Sequence, residues 1–473
     1  MTRFQLFSQQ IPVADSCQER PPLEPLTSDS LIFDLRAPLK HYFIKTYGCQ
    51  MNELDSEVMG GILEKRGLKR TDDENAADLL IFNTCSIRDL AERKALGKIG
   101  KLSHSKKSGQ IIGVTGCMAN AKKESLFRKL PAIDFVVGTN NIHELDSVLD
   151  EILHTKRQVL KTDASFFEEL NYQQATRASN VSAYVSIIRG CDKYCTYCVV
   201  PYTRGPEVSR SPEDIEKEVR HLVAGGTREI TLLGQNVNSY GKDAPQWNCL
   251  FHDLLYRLDR IEGLHRIRFM TSHPVDITRE LMQAIADLPS VCEMVHFPIQ
   301  AGSDRILKKM HRLYNKEQYL EKVRMLKEIV PNVALGTDII VGFPTETEEE
   351  FMETVEVLKE IDYHVAFLFS YSQRQGTPAA RWKDDIPEAE KNRRLQILLQ
   401  LHEDNQARHR AAMLGQEVEV LVEQVNAKDT QYVQGRTRCW KNIIFPGTAK
   451  DIGSLKRVRI HSYTHKTLIA EVL

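Results

Sequence analysis

The sequence predicts an α/β chain in three parts: an N-terminal parallel α/β sheet domain, a central open (β/α)6 barrel and a small C-terminal β-barrel. Three observations carry that prediction. Short apolar strands alternate with helical stretches twice, from residue 41 to about 156 and again from about 184 to 371, the pattern of parallel sheets. A polar stretch without period, TDASFFEELNYQQATRASN, separates the two series. Beyond it and the second series the pattern turns to period two, with Val418, Val420 and Val422 between charged or polar neighbours. A length of 473 residues agrees with about three domains. The boundaries that follow are 1–39 for an irregular extension, 40–156 for the first α/β domain, 157–176 for a linker, 177–409 for the barrel and 410–473 for the small barrel.

The elements follow in chain order. Residues 1–39 hold five prolines and no sustained period, which argues against packed structure. The first strand is read at 41–45. Asn52 and Asp55 open a helix that runs to about Arg66 and stops at Gly67. Further strands are read at 79–82, 111–114 and 135–137. The second series places strands at 184–188, 230–233, 267–271, 294–298, 333–341 and 365–371, and six strand–helix units fit an open barrel better than a closed one of eight. Its first helix is the plainest: Ser211 caps it, Pro212 opens it, Asp214 completes a capping box, and Gly225-Gly226 ends it. Residues 386–412 are polar and helix-forming.

Composition narrows the function. Lys+Arg is 63 and Asp+Glu is 64, so a uniformly basic coat protein and a strongly acidic tail are both excluded. Charge is nevertheless segregated: from Arg436 to Leu473 eight Lys/Arg face two Asp/Glu, with Trp440, Phe445 and Tyr463 interleaved. A small basic β-barrel with aromatics points to nucleic-acid binding, and a solvated barrel face with core aromatics is the plainer alternative. No apolar run approaches the roughly 18 residues of a membrane span, and the N-terminus lacks the pattern of a secretory signal, so a cytoplasmic chain with no membrane partner is expected.

Ten cysteines in such a compartment are not a disulfide framework. Cys17, Cys249, Cys292 and Cys439 read as small fillers. The strongest signal is Cys191-Asp-Lys-Tyr-Cys195-Thr-Tyr-Cys198, directly after a strand and Arg189-Gly190. Three thiolates on one tight loop can hold three corners of a 4Fe–4S cube and leave one iron open to chemistry. The alternative, zinc on the embedded CxxC, needs a fourth ligand and usually a paired CxxC, and none is evident. Cys49, Cys85 and Cys117 each follow a strand by a few residues. In a parallel sheet all strand C-termini share one edge, so these three can converge into a second three-cysteine cluster. Three unrelated buried thiols are the alternative.

The CxxxCxxC after the first barrel strand resembles the signature of the radical S-adenosylmethionine superfamily. Within it the chain resembles the methylthiotransferases, most closely the MiaB-type branch, from about residue 40 to 473. The strings that carry this are TYGCQMN at 46–52, NTCSIR at 83–88, GCMA at 116–119, the run from Arg189 through VVPYTRG at 199–205, and LGQNVNSYG at 233–241. The resemblance implies two 4Fe–4S clusters, one on Cys191, Cys195 and Cys198 and one on Cys49, Cys85 and Cys117. It implies S-adenosylmethionine held by Gly225 and Gly226 with Glu229, and by the GTDIIVGFP stretch that contains Asp338. Gln300, with Gln235, Asn236, Ser272, His273 and Arg312, joins the pocket candidates by its place at a barrel strand end. Tyr197 is placed to shield the cluster. The implied reaction cleaves S-adenosylmethionine at the first cluster, abstracts hydrogen from C2 of N6-isopentenyladenosine beside the tRNA anticodon, and draws sulfur from the second cluster. An external electron donor and tRNA are the implied partners, the chain acting as a monomer. The C-terminal segment resembles the TRAM domain, with Arg436, Arg438, Lys456, Arg457 and Arg459 as candidate phosphate contacts. Two alternatives remain. One is the same chemistry on threonylcarbamoyl-adenosine or a ribosomal-protein aspartate. The other is a non-catalytic protein that binds RNA and carries electrons on iron–sulfur centres, or binds RNA with zinc.

Overall fold

A computed structural model describes residues 39–86, 89–162 and 172–473. The expected extension up to residue 38, Cys17, Ile87, Arg88 and the middle of the expected linker lie outside the described residues. Six parallel strands build the first domain: β1 (His41–Tyr47), β2 (Lys69–Arg70), β3 (Leu79–Thr84), β4 (Ile111–Gly116), β5 (Phe135–Val137) and β6 (Val159–Lys161), in the order β2-β1-β3-β4-β5-β6. Strands β3 and β4 are buried on both faces, which is why they read as unbroken apolar runs. One face packs Leu79, Ile81 and Phe135 with Leu54 and Val58, and the other packs Leu80, Phe82, Ile112 and Val114 with Ile99 and Leu126. Each such fully buried side chain contributes about 1.5–3 kcal/mol.

The helices of this domain are α1 (Gln50–Lys65), α2 (Asp89–Ser103), α3 (Cys117–Lys122), α4 (Ser125–Lys129) and α5 (Leu145–Thr155). Helix α1 begins two residues before the expected Asn52, because Cys49 itself is the cap residue and Asn52 Oδ1 accepts from its backbone N–H at 3.3 Å. Strand β6 was not foreseen. It pairs with β5 and extends the sheet to Lys161, so the stretch expected to be linker from 157 begins as a sheet edge. Three residues ending in lysine carry too little pattern to read as a strand. The linker's far end is also packed: Tyr172 is buried, Thr176 N–H donates to the Glu57 carbonyl at 2.9 Å, and Arg177 bridges Glu57 at 3.0 Å and Glu218 at 2.8 Å.

The central domain holds β7 (Ser182–Ser186), a small hairpin of β8 (Ile188–Arg189) and β9 (Val208–Ser209), then β10 (Glu229–Leu233), β11 (Arg266–Phe269), β12 (Met294–His296), β13 (Ala334–Val341) and β14 (Val365–Ser370). The six long-range strands form two parallel three-stranded sheets, β11-β10-β7 and β12-β13-β14, joined by a bridge between Ile267 and Val291. This is the expected open six-stranded barrel with a gap in its hydrogen bonds. Around it lie α6 (Val200–Arg204), α7 (Pro212–Ala224), α8 (Phe251–Asp259), α9 (Arg279–Asp287), α10 (Asp304–Lys309), α11 (Lys316–Ile329), α12 (Glu348–Ile361) and α13 (Glu388–Ala412). Ser211 caps α7 as expected, accepting from the Asp214 N–H at 3.1 Å. Val185, Ile230, Leu232, Ile267, Phe269, Leu335 and Ile339 join the helix-side core. Period-two alternation therefore gives the lumen Ser186, Thr231, Arg268, His296, Asp338 and Phe367.

The last domain is a closed barrel of β15 (Glu417–Val425), β16 (Tyr432–Thr437), β17 (Asn442–Pro446), β18 (Leu455–Tyr463) and β19 (Leu468–Val472). Val420, Val422, Val433, Phe445, Val458 and Ile460 fill it. Its docking corrects one expectation. Arg438, expected on phosphate, is spent on the central barrel: it meets Glu293 at 2.8 Å and the carbonyls of Pro289 at 2.9 Å and Val291 at 2.6 Å. Arg436 pairs with Glu423 at 3.2 Å. Of the interleaved aromatics, Phe445 is core, Trp440 lies over the Arg268 guanidinium at 5.5 Å, and Tyr463 is exposed. Among the described residues no helix is long and apolar enough to cross a membrane.

Candidate functional site

The register of the first sheet sets three cysteines side by side. Tyr47, Thr84 and Gly116 are partners across adjacent β1, β3 and β4. Cys49 follows two residues after that line, and Cys85 and Cys117 follow one residue after it. Neighbouring strands are about 4.8 Å apart, so the three thiols emerge side by side along one sheet edge that spans two strand spacings. Gly116 has φ 90° and a Cβ there would collide with the Thr84 carbonyl, so only glycine turns the chain into α3 at this point.

The second triad sits at the corresponding end of the barrel. Gly190 has φ 77° and a Cβ there would collide with the Pro206 carbonyl, which lets β8 turn sharply into the cysteine loop. The loop is tied down by Thr196, whose N–H donates to the Met310 carbonyl at 3.1 Å and whose hydroxyl donates to the Lys309 carbonyl at 2.9 Å. Arg312 is buried against it and donates to Cys195 Sγ at 3.3 Å, to the Pro298 carbonyl at 3.3 Å and to Tyr314 at 3.0 Å. Tyr197, within the loop, is half-buried and edge-on to Phe343. Burial pushes the Cys191 thiol up to about 12 and raises Cys198 as well, with the neighbouring Cys195 adding to both. Burial also raises Cys117, against the pull of the Arg204 cation. Such thiols keep their protons until a metal takes their place.

None of the described cysteines is in a disulfide. Among the described residues no three His, Cys, Asp or Glu side chains stand close enough to grip a single metal ion. Three thiols on one edge suit a body as large as an iron–sulfur cube. The donor chemistry, thiols alone with no carboxylate or imidazole among them, fits the same group.

The other expected residues divide into two sets. Gly225, Gly226 and Glu229 precede or begin β10 and so lie at the opposite end of the barrel from the cysteine loop. Glu229 is buried there between Arg268 at 2.9 Å and Arg266 at 4.0 Å, the arginines that hold the C-terminal barrel. The structure thus separates these three from the site. Their Gly-Gly is the stop of α7, with Gly226 at φ 107°. At the other end of β10, on the side of the cysteine loop, Gly234 is packed so closely that a Cβ would strike the Ile188 side chain. Next to it Gln235 accepts from the Gly190 N–H at 2.6 Å. Only the position of Gly234 directly after the strand, rather than before it, could have marked it.

Gln300, Asp338 and the other pocket candidates do lie with the site or line the lumen below it. Asp338 is in mid-strand on the lumen yet its side chain is 31% exposed, so the barrel is hollow at that level. It stands 3.3 Å from His296, whose two ring nitrogens have no aligned hydrogen bond. Ser186 Oγ, Asn236 Oδ1, Ser272 Oγ and His273 Nε2 are likewise buried without partners. Burial, with the Arg312 cation nearby, pushes the His273 ring down to about 2, so it is neutral at pH 7. Burial alone would raise Asp276, but Lys193, Lys242 and Asn236 hold it down at about 2. Thr271, at φ 71°, and Gln300, at φ 77°, are left-handed without being glycine, and both follow barrel strands at this end. A ring of orphaned polar atoms on strained strand ends is the lining of a polar ligand's site.

Comparison with known proteins agrees with these divisions. Residues 41–138 match an uncharacterised protein family, UPF0004, residues 185–358 match the radical SAM superfamily, and residues 411–473 match the TRAM domain. A protein of Protochlamydia amoebophila (strain UWE25) named tRNA-2-methylthio-N(6)-dimethylallyladenosine synthase is 69% identical over 434 residues, 92% of this chain and 96% of that one. Proteins of the same name from Clostridium botulinum (strain Hall) and Thermoanaerobacter pseudethanolicus are each 46% identical, over 89% and 92% of this chain and 94% and 93% of theirs. Among solved structures, the radical S-adenosylmethionine methyltransferase TsrM from Kitasatospora setae with cobalamin and a [4Fe-4S] cluster bound shares the fold at a TM-score of 0.53, with 14% identity over 72% of this chain and 77% of that one.

Proposed function

We propose a function from one premise: the chain belongs to the family of tRNA-2-methylthio-N(6)-dimethylallyladenosine synthases. It is a radical S-adenosylmethionine transferase that places a methylthio group on C2 of N6-isopentenyladenosine beside the anticodon of tRNA. One observation carries the reading at the level of residues. Two three-cysteine edges flank a single short helix, α6, which begins two residues after Cys198 and ends in Arg204, a side chain that faces Cys117. We assign one 4Fe–4S cluster to Cys191, Cys195 and Cys198 and a second to Cys49, Cys85 and Cys117. When bound, the clusters and S-adenosylmethionine supply the one-electron chemistry and the sulfur that turn a C–H bond into a C–S bond.

The chain's own residues do the rest. Arg312 donates a buried hydrogen bond to the Cys195 sulfur and so fixes its position in the loop. Tyr197, with Phe343, Tyr371 and Trp382 stacked edge to face behind it, keeps water from the loop. Gln235 fixes the start of the loop through the Gly190 N–H. Ser186, Asn236, Ser272 and His273 offer hydrogen bonds to the polar cofactor, and neutral His273, whose Nδ1 already accepts from the Val275 N–H, can donate one from Nε2. His296, Asp338 and Phe367 line the hollow lumen, where an adenine drawn out of the anticodon loop would find an aromatic face and polar edges. Arg457, three quarters exposed and only loosely paired with Glu417 at 3.8 Å, and exposed Tyr463 are presented to RNA on the small barrel. An external electron donor completes the reaction.

The test is an anaerobic assay of reconstituted protein with S-adenosylmethionine, a reductant and tRNA bearing isopentenyladenosine, the digested nucleosides being read by mass spectrometry. A methylthio adduct on that nucleoside is expected. Cofactor cleavage without the adduct would move the target to threonylcarbamoyl-adenosine or a protein side chain, and neither product from protein with intact clusters would favour an electron carrier.

A further inference from the structure

Asp55, Arg189 and Arg204 meet where the first domain joins the barrel, and almost no water reaches them. Arg204 Nη2 donates to Asp55 Oδ2 at 2.8 Å. Arg189 Nη2 donates to the Thr139 carbonyl at 2.8 Å and lies 3.9 Å from Asp55 Oδ1. All three side chains are at most 4% exposed. Arg204 is thus seated on a single carboxylate, with a second guanidinium beside it. Arg204 Nη1 has no hydrogen-bond partner. Its guanidinium is within electrostatic reach of Cys117 and Cys49 and opposes the rise that burial imposes on Cys117. A buried charge needs a counter-charge. Three thiolates on a 4Fe–4S body of formal charge +2 sum to −1, a charge that the guanidinium of Arg204 beside it would balance.

We propose that Arg204 is a positioning residue for the sulfur-donating centre: seated on Asp55, its guanidinium holds the net negative charge of the group on Cys49, Cys85 and Cys117 and of a sulfur anion at the open iron. The inference rests on the second cluster assigned above. It explains why the end of α6 is a fully buried arginine rather than a packing residue. It also gives the two centres a shared part, since the helix that leaves the Cys191 loop delivers the charge to the other triad.

The test uses the full chain with Cys191, Cys195 and Cys198 all changed to Ala, reconstituted so that any centre left is on the first triad. A mediated redox titration followed by electron paramagnetic resonance reads its potential. One electron enters and the centre becomes one unit more negative, so a nearby cation favours the reduced form. Arg204→Gln is expected to lower the reduction equilibrium at least about tenfold, about 59 mV for one electron. Arg204→Lys should recover most of that shift, and Asp55→Asn should move the potential the other way. An intact centre whose potential ignores Arg204→Gln, or that falls equally with Arg204→Lys, overturns the proposal. If Arg204→Gln binds no iron, Asp55→Asn decides: a raised potential supports the proposal and an unmoved or lowered one overturns it. A parent chain that takes up no iron–sulfur centre overturns the second-cluster reading, and this inference with it.

Discussion

Replacing Glu229 by Gln separates its two possible roles. As a cofactor ligand it would affect S-adenosylmethionine binding, whereas its position in the fold assigns it to the docking of the C-terminal barrel. Its carboxylate is the buried anion between Arg268 and Arg266, at 2.9 and 4.0 Å, and all three side chains are at most 2% exposed. Removing one partner of a buried pair costs about 3–5 kcal/mol, because the other charge stays buried. The two arginines keep the carbonyls of Arg436, Thr437 and Arg438, and Arg266 keeps Glu419 at 3.0 Å. The lower end, about 3 kcal/mol, is therefore expected, roughly two decades in the docking equilibrium. Trp440 lies over Arg268 and reports on that junction. A urea titration followed by tryptophan fluorescence should show an early transition in Glu229→Gln, while equilibrium dialysis finds S-adenosylmethionine bound as in the parent. An unchanged unfolding curve together with lost cofactor affinity would refute the assignment and return Glu229 to the cofactor.

The remaining predictions concern the glycines, the cysteines and pH. Gly234→Ala forces a Cβ into Ile188 and should weaken S-adenosylmethionine binding at least about tenfold, whereas Gly225→Ala, in the stop of α7, should leave it unchanged; dialysis of both variants checks this. Cys85→Ala should abolish sulfur insertion yet leave cleavage of S-adenosylmethionine, and Cys195→Ala should abolish both. Methylthiolation by Cys85→Ala would remove the second cluster from the mechanism. Burial, with His409 beside it, pushes His364 down to about 4 from its ordinary 6.5, so the folded chain binds fewer protons than the unfolded one between those values. The stability it contributes is complete above pH 6.5 and is lost as pH falls towards 4, about 1 kcal/mol of it between pH 6.5 and 5.5. Urea midpoints of the apoprotein at pH 7 and 5.5 should fall further than those of His364→Asn, and equal falls would contradict the assignment.

The parts of this fold that were legible in the sequence are those whose pattern is local. The barrel strands at 184–188, 230–233 and 365–371 lie within two residues of Ser182–Ser186, Glu229–Leu233 and Val365–Ser370, because apolar runs between capped helices leave little freedom. The cysteine triads were legible for a related reason: a parallel sheet brings every strand end to one edge, so strand ends alone place Cys49, Cys85 and Cys117 together. Strands β2 and β6 were not legible, since two or three residues at a sheet edge carry no period. Tyr172 and Arg177 were hidden in a polar stretch because their burial depends on α1 and α7, which are distant in sequence.

The glycines show what a sequence withholds even when its family is recognised. Gly225-Gly226 and Gly234 stand on either side of one five-residue strand, so they lie at opposite ends of the barrel. Composition favours the pair and chemistry favours the single residue, because in a parallel barrel only the C-terminal end of a strand faces the site. The same asymmetry decides the arginines. Arg266 and Arg268, on the strand itself, point to the C-terminal barrel. Arg312, three residues beyond α10, closes on Cys195. Charge alone does not distinguish a docking arginine from one that serves the cluster; the end of the barrel on which each falls does.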